Sequence, residues 1–573
     1  MQPWDISSKM IKIELRKWVT NMSEEPKANP HVNSDAEARQ KMVRGSAWMT
    51  AGSLFSRILG ALYIIPWVLW MGSNYTQGNA LYAKGYNIYS FFLLVAIGGI
   101  PSAISKQISE YNAINEYAVG QRLYKRGLLL TSAFGIVGGA IMWFGAGPIG
   151  VVFGGGDPNV IPVLRALAIA LVIIPSMSLT RGFFQGYQQM APSAISQFIE
   201  QVFRVLYMLA ATFFIMKVQR GDWVKAVTQS TFAAFVGAAA SLLLLGWYYY
   251  RKRPELNALA EQSDNKLAIP VWKLFKDIIV QAIPFIVVDT ATTVFNLLDQ
   301  ATFQPMMKLA YHLDDTQINT LYAYFAFNAN KLVMIIVSLA SAIAVTVVPL
   351  LSESLASHNR RNIRKQLEDA IILFLFIMIP GALGMAAIAQ PLNTLFYSYD
   401  QVGTLILQIS AFTAIILGLF TVVSALMQGL SRNRDIIRYY LIGLLVKLII
   451  QLPCIYLLST AGPLVATAIG MTVASLMALY DLEVNFGIRY VRILPKVNRI
   501  LMYAILTYVG ARLAVFLLNL VFNEQSKTQS MLIVIVAVAV GGAIYAYFTL
   551  KSRLADMMIG SRAAGLRRKL RIK

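Results

Sequence analysis

The stretch GSAWMTAGSLFSRILGALYIIPWVLW, residues 45–70, indicates the class of this protein. It is almost entirely apolar, and it exceeds the ~20 residues that a helix needs to cross a ~30 Å hydrocarbon core. Similar apolar runs recur along the chain and are separated by short segments with turn residues or basic residues. The sequence therefore predicts an all-α polytopic membrane protein.

The composition agrees with this prediction. Of the 573 residues, 57% are hydrophobic and 14% are charged, whereas a soluble domain carries about 25% charged residues. The net charge of +22 would suggest nucleic acid binding in a soluble protein. Here most Lys and Arg residues lie in the tails and in alternate loops, as the positive-inside rule expects of cytoplasmic segments. We therefore expect no nucleic acid partner.

Fourteen apolar runs predict about fourteen transmembrane helices. Basic clusters follow the second, sixth, eighth, tenth and twelfth runs, and both tails are basic; the loop after the fifth run is an exception. This pattern predicts a multi-pass protein of the bacterial cytoplasmic membrane with both termini in the cytoplasm. The runs lie near residues 45–70, 79–104, 127–147, 160–184, 194–216, 226–250, 272–298, 320–348, 368–389, 403–427, 436–458, 463–486, 498–520 and 530–550.

The two halves of the helical region resemble each other. A shift of 243 residues aligns the second to fifth runs with the eighth to eleventh. Parallel repeats of this kind are typical of transporters, which bind substrate between the halves near the midplane. Under this shift Ser109-Glu110 falls on Ser352-Glu353, Gln185-Gly186 on Gln428-Gly429, and Arg204 on Lys447.

The predicted organisation follows from these runs and their spacing. It consists of two six-helix lobes, which are joined by a linker and followed by two extra helices. The predicted segments are a cytoplasmic tail (1–44), an N-lobe (45–250), a cytoplasmic linker (251–271), a C-lobe (272–486), two further helices (498–550) and a basic tail (551–573).

Four basic residues lie well inside predicted helices. A charge near the bilayer centre costs about 2.5–3.5 kcal/mol on insertion scales, so such residues usually face a cavity or an opposite charge. Together they predict an inward-facing cavity for an anion such as a diphosphate, because Arg can bind phosphate oxygens in a bidentate manner. These cations are Arg57, Arg204, Lys331 and Lys447.

Other polar residues in the helices allow more than one interpretation. Gln197, Glu200 and Arg204 share one helix face. They could line the cavity, or Glu200 and Arg204 could simply neutralise each other. Asp289 is a candidate for proton or cation coupling, and the alternative is that it serves as the counter-ion of a neighbouring cation.

No cofactor, metal site or cleavable signal peptide is expected. His31, His312 and His358 are far apart in the sequence, and Cys454 is the only cysteine. The polar opening segment precedes an apolar run that is too long for a signal sequence. The natural start is either Met1 or Met22.

Two segments resemble a known family. The first contains Phe55-Ser56-Arg57-Ile58-Leu59-Gly60, and the second begins Arg181-Gly182-Phe183-Phe184-Gln185-Gly186. Together they resemble the polysaccharide-export branch of the MOP superfamily, and within it the MurJ-type lipid II flippases and their sporulation-protein relatives. The resemblance spans about residues 42 to 550. One departure is Tyr63, which stands where some members have a second arginine on the first helix.

The resemblance implies two six-helix lobes around a central cavity, with two further helices that form a groove for a polyprenyl tail. It also implies that cavity cations bind a lipid diphosphate, and the motif assigns Arg57 to this role. The expected function is alternating-access translocation of an undecaprenyl-diphosphate-linked peptidoglycan precursor, with cell-wall synthesis proteins as candidate partners. The alternative is export of another lipid-linked oligosaccharide, such as a teichoic acid or capsule repeat unit.

Three other classes fit the sequence less well. A cation-coupled drug exporter should have an acidic or apolar cavity rather than a cationic one. A membrane-embedded glycosyltransferase or ligase needs carboxylates or a large external loop, and only Asp314-Asp315 offers paired acids, in a polar connector. A structural scaffold has no need of charges at the midplane. We therefore expect a transporter and not an enzyme.

Overall fold

The computed structural model describes residues 56, 59–263, 283, 286–356, 358–556 and 561–570. In these ranges the chain forms helices joined by short turns. The first half (residues 59–261) contains eight of them: α1 (Ile64–Met71), α2 (Tyr75–Ile97), α3 (Ile100–Ala113), α4 (Tyr117–Phe144), α5 (Ala146–Phe153), α6 (Val160–Gly186), α7 (Met190–Phe213) and α8 (Trp223–Glu261).

The second half (residues 286–486) is built in the same way, and the remaining helices follow it. A π-helical turn, Tyr324–Ala329, connects α10 to α11 without a break. The helices of the second half are α9 (Ala291–Tyr311), α10 (Asp315–Ala323), α11 (Asn330–Ala356), α12 (Arg360–Ala387), α13 (Ala389–Phe396), α14 (Gln401–Gly429), α15 (Asn433–Leu458) and α16 (Gly462–Phe486). The helices that follow it are α17 (Tyr490–Asn519), α18 (Lys527–Lys551) and α19 (Ser561–Lys569).

Eleven helical segments in the described ranges are long and apolar enough to cross a membrane. Two of them, Leu59–Ile97 and Asn433–Phe486, each contain two of the predicted helices. The predicted tail 1–44 and much of the predicted helix 272–298 lie outside the described residues. The all-α membrane fold is thus confirmed, while the count of fourteen helices stays a prediction.

One helix forms the centre of each half. In the first half, α2, α3, α4 and α8 all pack against α6; in the second half, α11, α12 and α16 all pack against α14. The predicted shift of 243 residues places α6 on residues 403–429, which α14 spans. The two central helices are therefore equivalent under the predicted repeat.

Contacts made by two glycines follow the same repeat. Gly186, at the end of α6, lies against Ile108, and Gly429, at the end of α14, lies against Leu351. Both members of the second pair are 243 residues beyond those of the first. The similarity between the halves therefore extends from sequence landmarks to side-chain contacts.

Small residues allow the closest helix crossings. A Cβ atom on Gly135 of α4 would lie 2.5 Å from the carbonyl oxygen of Val172, and one on Gly139 would lie 3.0 Å from that of Ala168. Glycines at i and i+4 thus bring the backbones of α4 and α6 together, as in other membrane helix pairs.

The two C-terminal helices pack against one side of the second half. α17 lies along α12 and α18, and α18 also contacts α13. The Tyr545 hydroxyl on α18 donates to the carbonyl of Phe376 on α12, at 2.7 Å. After α18 the chain turns back, and Arg567 of α19 binds Asp556 at 2.5 Å. This hydrogen-bonded ion pair lowers the pKa of the Asp556 carboxyl.

The paired acids Asp314 and Asp315 have structural partners. The Asp314 carboxylate accepts the backbone N–H of Gln317 at 2.7 Å and caps α10 as part of a capping box. Asp315 pairs with Lys308 at 2.7 Å and accepts a hydrogen bond from Gln304. Both acids are exposed, as expected of a polar connector, and they also begin a helix and join it to α9.

Candidate functional site

The two halves meet along the first part of α2. Residues 75–87 of this helix, called the seam segment below, form hydrogen bonds with side chains and one backbone carbonyl of the second half. Most of these bonds join uncharged groups. They link Gln77 to Thr320 (3.1 Å), Asn79 to Asn328 (2.8 Å), Lys84 to Asn319 (2.8 Å) and Gln304 (3.3 Å), Asn87 to Gln300 (3.2 Å), and Tyr75 to Ser398 (2.6 Å).

Lys331 lies in this seam, inside a group of three aromatic rings. Its ammonium nitrogen is 5.4 Å from the ring centroid of Tyr82, of Tyr86 and of Phe327 alike. Ring faces attract a cation through their quadrupole. Within the described part of the chain, the ammonium has no hydrogen-bond acceptor and no ion-pair partner. The predicted cavity cation thus bridges the halves without an anion.

Arg204 forms an ion-pair cluster in the first half. Glu200 accepts from Arg204 at 2.8 Å and from Arg181 at 2.9 Å, and Arg181 also donates to Ser196 at 2.8 Å. Glu200 therefore neutralises only one of the two arginines, and the three charged groups retain one positive charge. The Nε atom of Arg204 is buried and has no hydrogen-bond partner among the described residues.

Arg181 is a member of this cluster that the sequence analysis did not select. It belongs to the quoted Arg-Gly-Phe-Phe-Gln-Gly segment at the end of α6, and its charge on an apolar helix was the available signal. Its partner Glu200 lies on the next helix. An arginine near a helix end is normally assigned to the adjoining loop. Because Glu200 lies on another helix, residue spacing within α6 did not reveal its ion pair with Arg181.

A row of tyrosines surrounds Arg204. Tyr82 stacks on Tyr86, with ring centroids 5.5 Å apart, and Tyr86 lies 5.5 Å from Tyr89. The Arg204 charge acts on Tyr63, Tyr82 and Tyr89. The hydroxyl of Tyr89 is buried without a hydrogen-bond partner in the described ranges. Tyr63, the noted departure from the family, thus places a phenol where some relatives have an arginine.

Two further residues of the first half were predicted to belong to the site, and one of them lies outside the described ranges. Gln197 is half-buried on the same helix as Glu200. Arg57 is outside the described residues, so its predicted role is untested. Gly60, three residues further along, lies against Gln201, since a Cβ atom there would be 3.3 Å from Nε2 of that side chain.

Lys447 is enclosed by its neighbours in this structure, and its role in a substrate cavity stays a prediction. Its side chain is fully buried inside the second half. The ammonium pairs with Asp299 at 2.7 Å and donates to Thr467 at 2.5 Å and to the Phe295 carbonyl at 3.1 Å. Gln451 also donates to Asp299, at 2.8 Å. This enclosed ion pair joins α9, α15 and α16.

Asp289 lies apart from this ion pair. It precedes α9, is exposed, and has no ion-pair or hydrogen-bond partner in the described residues. The acid of this region that binds a cation is Asp299, which the sequence analysis did not select. The coupling role of Asp289 stays a prediction.

Comparisons with known proteins identify the family. A model described as Polysaccharide biosynthesis protein matches residues 42–355, and a MatE model matches residues 326–452. The Lipid II flippase MurJ of Bacillus subtilis (strain 168) is 32% identical over 541 residues, 92% of this chain and 98% of that protein. The chain belongs to the MurJ branch of the polysaccharide biosynthesis family.

Other members of this family and its superfamily are also similar. Stage V sporulation protein B of B. subtilis is 26% identical over 175 residues, 30% of this chain and 33% of that protein. A structure titled Lipid II flippase MurJ, inward closed conformation, matches with a TM-score of 0.59 at 15% identity, covering 87% of this chain and 98% of that one. An inward-facing MATE transporter matches with a TM-score of 0.58 at 13% identity, covering 75% and 94%.

These comparisons confirm the predicted family and fold. The relatives are transporters, and this chain is accordingly a multi-pass membrane transporter and not an enzyme.

Proposed function

We propose that this chain is a flippase that moves undecaprenyl-diphosphate-linked peptidoglycan precursor, lipid II, across the cytoplasmic membrane. The observation that carries the proposal is an excess of positive charge among the described residues of this region. There Lys331 contacts aromatic rings and has no ion-pair partner, and the Arg204 cluster keeps one positive charge. The similarity to the B. subtilis lipid II flippase supplies the substrate class.

The geometry suits a diphosphate. Buried donors without acceptors are unfavourable, so such groups normally have partners in the functional state. Among the described residues, the buried Arg204 Nε and Tyr89 hydroxyl have no hydrogen-bond partner, and the half-buried Lys331 ammonium has none either. Phosphate oxygens accept several hydrogen bonds at once, and charge-assisted bonds to them are the stronger kind. Arg57, by its motif, would add a further cation to the same group.

The seam supports alternating access. It consists mainly of hydrogen bonds between neutral amides and hydroxyls, which water can replace when the halves separate. With both termini in the cytoplasm, as the charge pattern predicts, the seam segment lies towards the external end of α2. The halves would then be joined on the outer side, and the headgroup would enter from the cytoplasm. α17 and α18 would guide the polyprenyl tail, and cell-wall synthesis proteins would supply and receive the substrate.

Complementation tests this proposal. The chain is expressed in a bacterium depleted of its lipid II flippase, and growth and precursor accumulation are followed. We expect rescue by the parent chain and loss of rescue by Arg57→Glu, Arg204→Glu and Lys331→Glu, with each variant still present in the membrane. Lys225→Glu, a charge reversal in the predicted outer loop, is the matched control. Failure of the parent chain, although it reaches the membrane, would contradict the proposal.

A second candidate is export of another lipid-linked oligosaccharide. The same cations would bind any lipid diphosphate, and the related Stage V sporulation protein B shows that the family is not limited to one member per organism. Rescue of a strain that lacks a teichoic acid or capsule exporter, without rescue of the lipid II strain, would favour this candidate.

The driving force is a further part of the proposal, with Asp289 as the residue to test for ion coupling.

A further inference from the structure

We propose that Tyr82, Tyr86 and Phe327 form an aromatic latch that holds Lys331 across the seam, and that a bound diphosphate releases it. In the unliganded protein the rings attract the ammonium and help to keep the halves together. When the headgroup arrives, its phosphate oxygens take the ammonium from the rings, and the seam loosens. This inference rests on the proposed function for the identity of the anion.

The latch spans the two halves. Tyr82 and Tyr86 belong to the seam segment on α2, whereas Phe327 and Lys331 belong to the π turn and to α11. The Tyr82 and Phe327 rings also contact each other edge to face, with centroids 5.4 Å apart. Separation of the halves would therefore remove two of the three rings from the ammonium. The contact can persist only while the seam is closed.

The rings hold the ammonium in a way that an anion can overcome. An ammonium has three N–H donors, and ring faces satisfy its charge without providing strong acceptors. A diphosphate provides both charge and acceptors. Since a ligand shifts an equilibrium only by its differential affinity for the two states, the exchange of rings for phosphate provides that difference.

Arg204 strengthens this exchange. Arg204 carries the same charge as Lys331, and Glu200, the acid that binds Arg204, is already bound to two arginines. Two cations that repel each other in the empty site are both stabilised by one shared anion. The ligand is thus expected to draw the Lys331 ammonium off the rings of Tyr82 and Tyr86.

The other seam contacts are not expected to be released by a bound diphosphate. Asn79 and Asn328 are uncharged, and Lys84 is held by the side-chain oxygens of Asn319 and Gln304 together with Asp157 at 4.0 Å. A diphosphate has no comparable reason to displace them. Among the described seam residues, the latch is therefore the contact that can report whether the substrate is present.

A cross-linking rate across the seam tests the latch in the unliganded protein. Cys454 is first replaced by alanine, and Gln77→Cys and Thr320→Cys are introduced, because these two side chains are 3.1 Å apart across the seam. A short bifunctional thiol reagent then reports seam closure in the full chain in nanodiscs. Loss of the latch should lower the rate roughly 5- to 30-fold, the factor for one or two kcal/mol.

Matched variants separate the rings from the hydroxyls. Tyr82→Phe with Tyr86→Phe retains the rings, so the cross-linking rate should stay close to that of the parent. Tyr82→Leu with Tyr86→Leu removes them, so the rate should fall. Lys331→Met leaves the rings in place and removes the charge, and it should lower the rate in the same way. Equal rates in the Leu, Phe and Met variants would overturn the latch.

The liganded arm uses undecaprenyl diphosphate as the probe. We expect it to slow cross-linking in the parent and to have no such effect in Lys331→Met. Binding is measured separately by native mass spectrometry. Binding without any change in the parent cross-linking rate would overturn the latch and leave the proposed function standing. Absence of binding in the parent would contradict both.

Discussion

Arg204 and Lys447 occupy equivalent positions in the two halves but have different surroundings. Both are cations within helices, and they are 243 residues apart, at the shift that also relates α6 to α14. Arg204 has a partly exposed side chain, shares Glu200 with a second arginine and keeps an unpaired Nε. Lys447 is fully buried, and its ammonium is paired with a single carboxylate.

This difference indicates a division of labour between the halves. In the first half, two cations share one acid, which leaves positive charge available at the seam. In the second half, one cation meets one acid, and hydrogen bonds from Gln451 and Thr467 complete the site. We infer that the equivalent position serves substrate binding in one half and helix packing in the other. The following variants test this contrast.

The largest effect is expected from breaking the enclosed pair. Asp299→Leu leaves the Lys447 ammonium buried without an anion, which should lower the free energy of unfolding by about 3–5 kcal/mol. The double variant Asp299→Leu/Lys447→Met removes both charges and should recover most of that loss. Thermal unfolding in detergent, followed by fluorescence, measures both. A single variant as stable as the double would contradict the packing role.

Arg204→Gln should act on binding rather than on folding. Glu200 keeps Arg181 as its partner, so the fold should tolerate the change. Loss of charge-assisted hydrogen bonds worth about 1.5–3 kcal/mol should weaken binding of undecaprenyl diphosphate roughly tenfold to a hundredfold. Native mass spectrometry of the purified chain measures the affinity. Unchanged affinity, in a folded variant, would place the diphosphate elsewhere.

The glycines at the ends of the two central helices allow a matched comparison. A Cβ atom on Gly186 would lie 2.7 Å from the Cβ of Ile108, whereas one on Gly429 would lie 3.4 Å from the Cβ of Leu351. Gly186→Ala should therefore destabilise the protein by about 1–3 kcal/mol, and Gly429→Ala by less. Thermal unfolding of both variants measures this. A larger loss of stability in Gly429→Ala than in Gly186→Ala would show that the distances around the two glycines do not determine the cost of the added methyl group.

The smallest effect is expected at a neutral contact of the seam. Asn79 and Asn328 form one hydrogen bond between uncharged groups, which contributes about 0.5–1.5 kcal/mol. A double-mutant cycle with Asn79→Ala and Asn328→Ala should give a coupling energy of this size for seam closure. The cross-linking rate between positions 77 and 320 provides the measurement. A coupling near zero would mean that the seam is held by its charged and aromatic contacts alone.

The sequence predicted the fold well because apolar runs and their breaks depend on local composition. It selected Lys331 and Arg204 for a similar reason, since a charge within an apolar run is visible in one helix. It did not identify the partner of Lys447, because Asp299 lies on a helix 148 residues away. The aromatic rings around Lys331 were missed on the same ground, because Tyr82 and Tyr86 come from the other half of the chain.

The π turn between α10 and α11 accommodates one extra residue within a continuous helix. Tyr324–Ala329 contains Phe327 and Asn328, and Lys331 lies two residues beyond it. A π turn holds one residue more than an α-helical turn, and each residue rotates an α-helix by about 100°. Deletion of a single residue within the turn would therefore restore ordinary α-helical spacing with little rotation of α11 relative to α10. The same deletion in the ordinary α-helical part of α11 would turn everything beyond it by that angle, so this helix tolerates a change of length at one place and not at its neighbours.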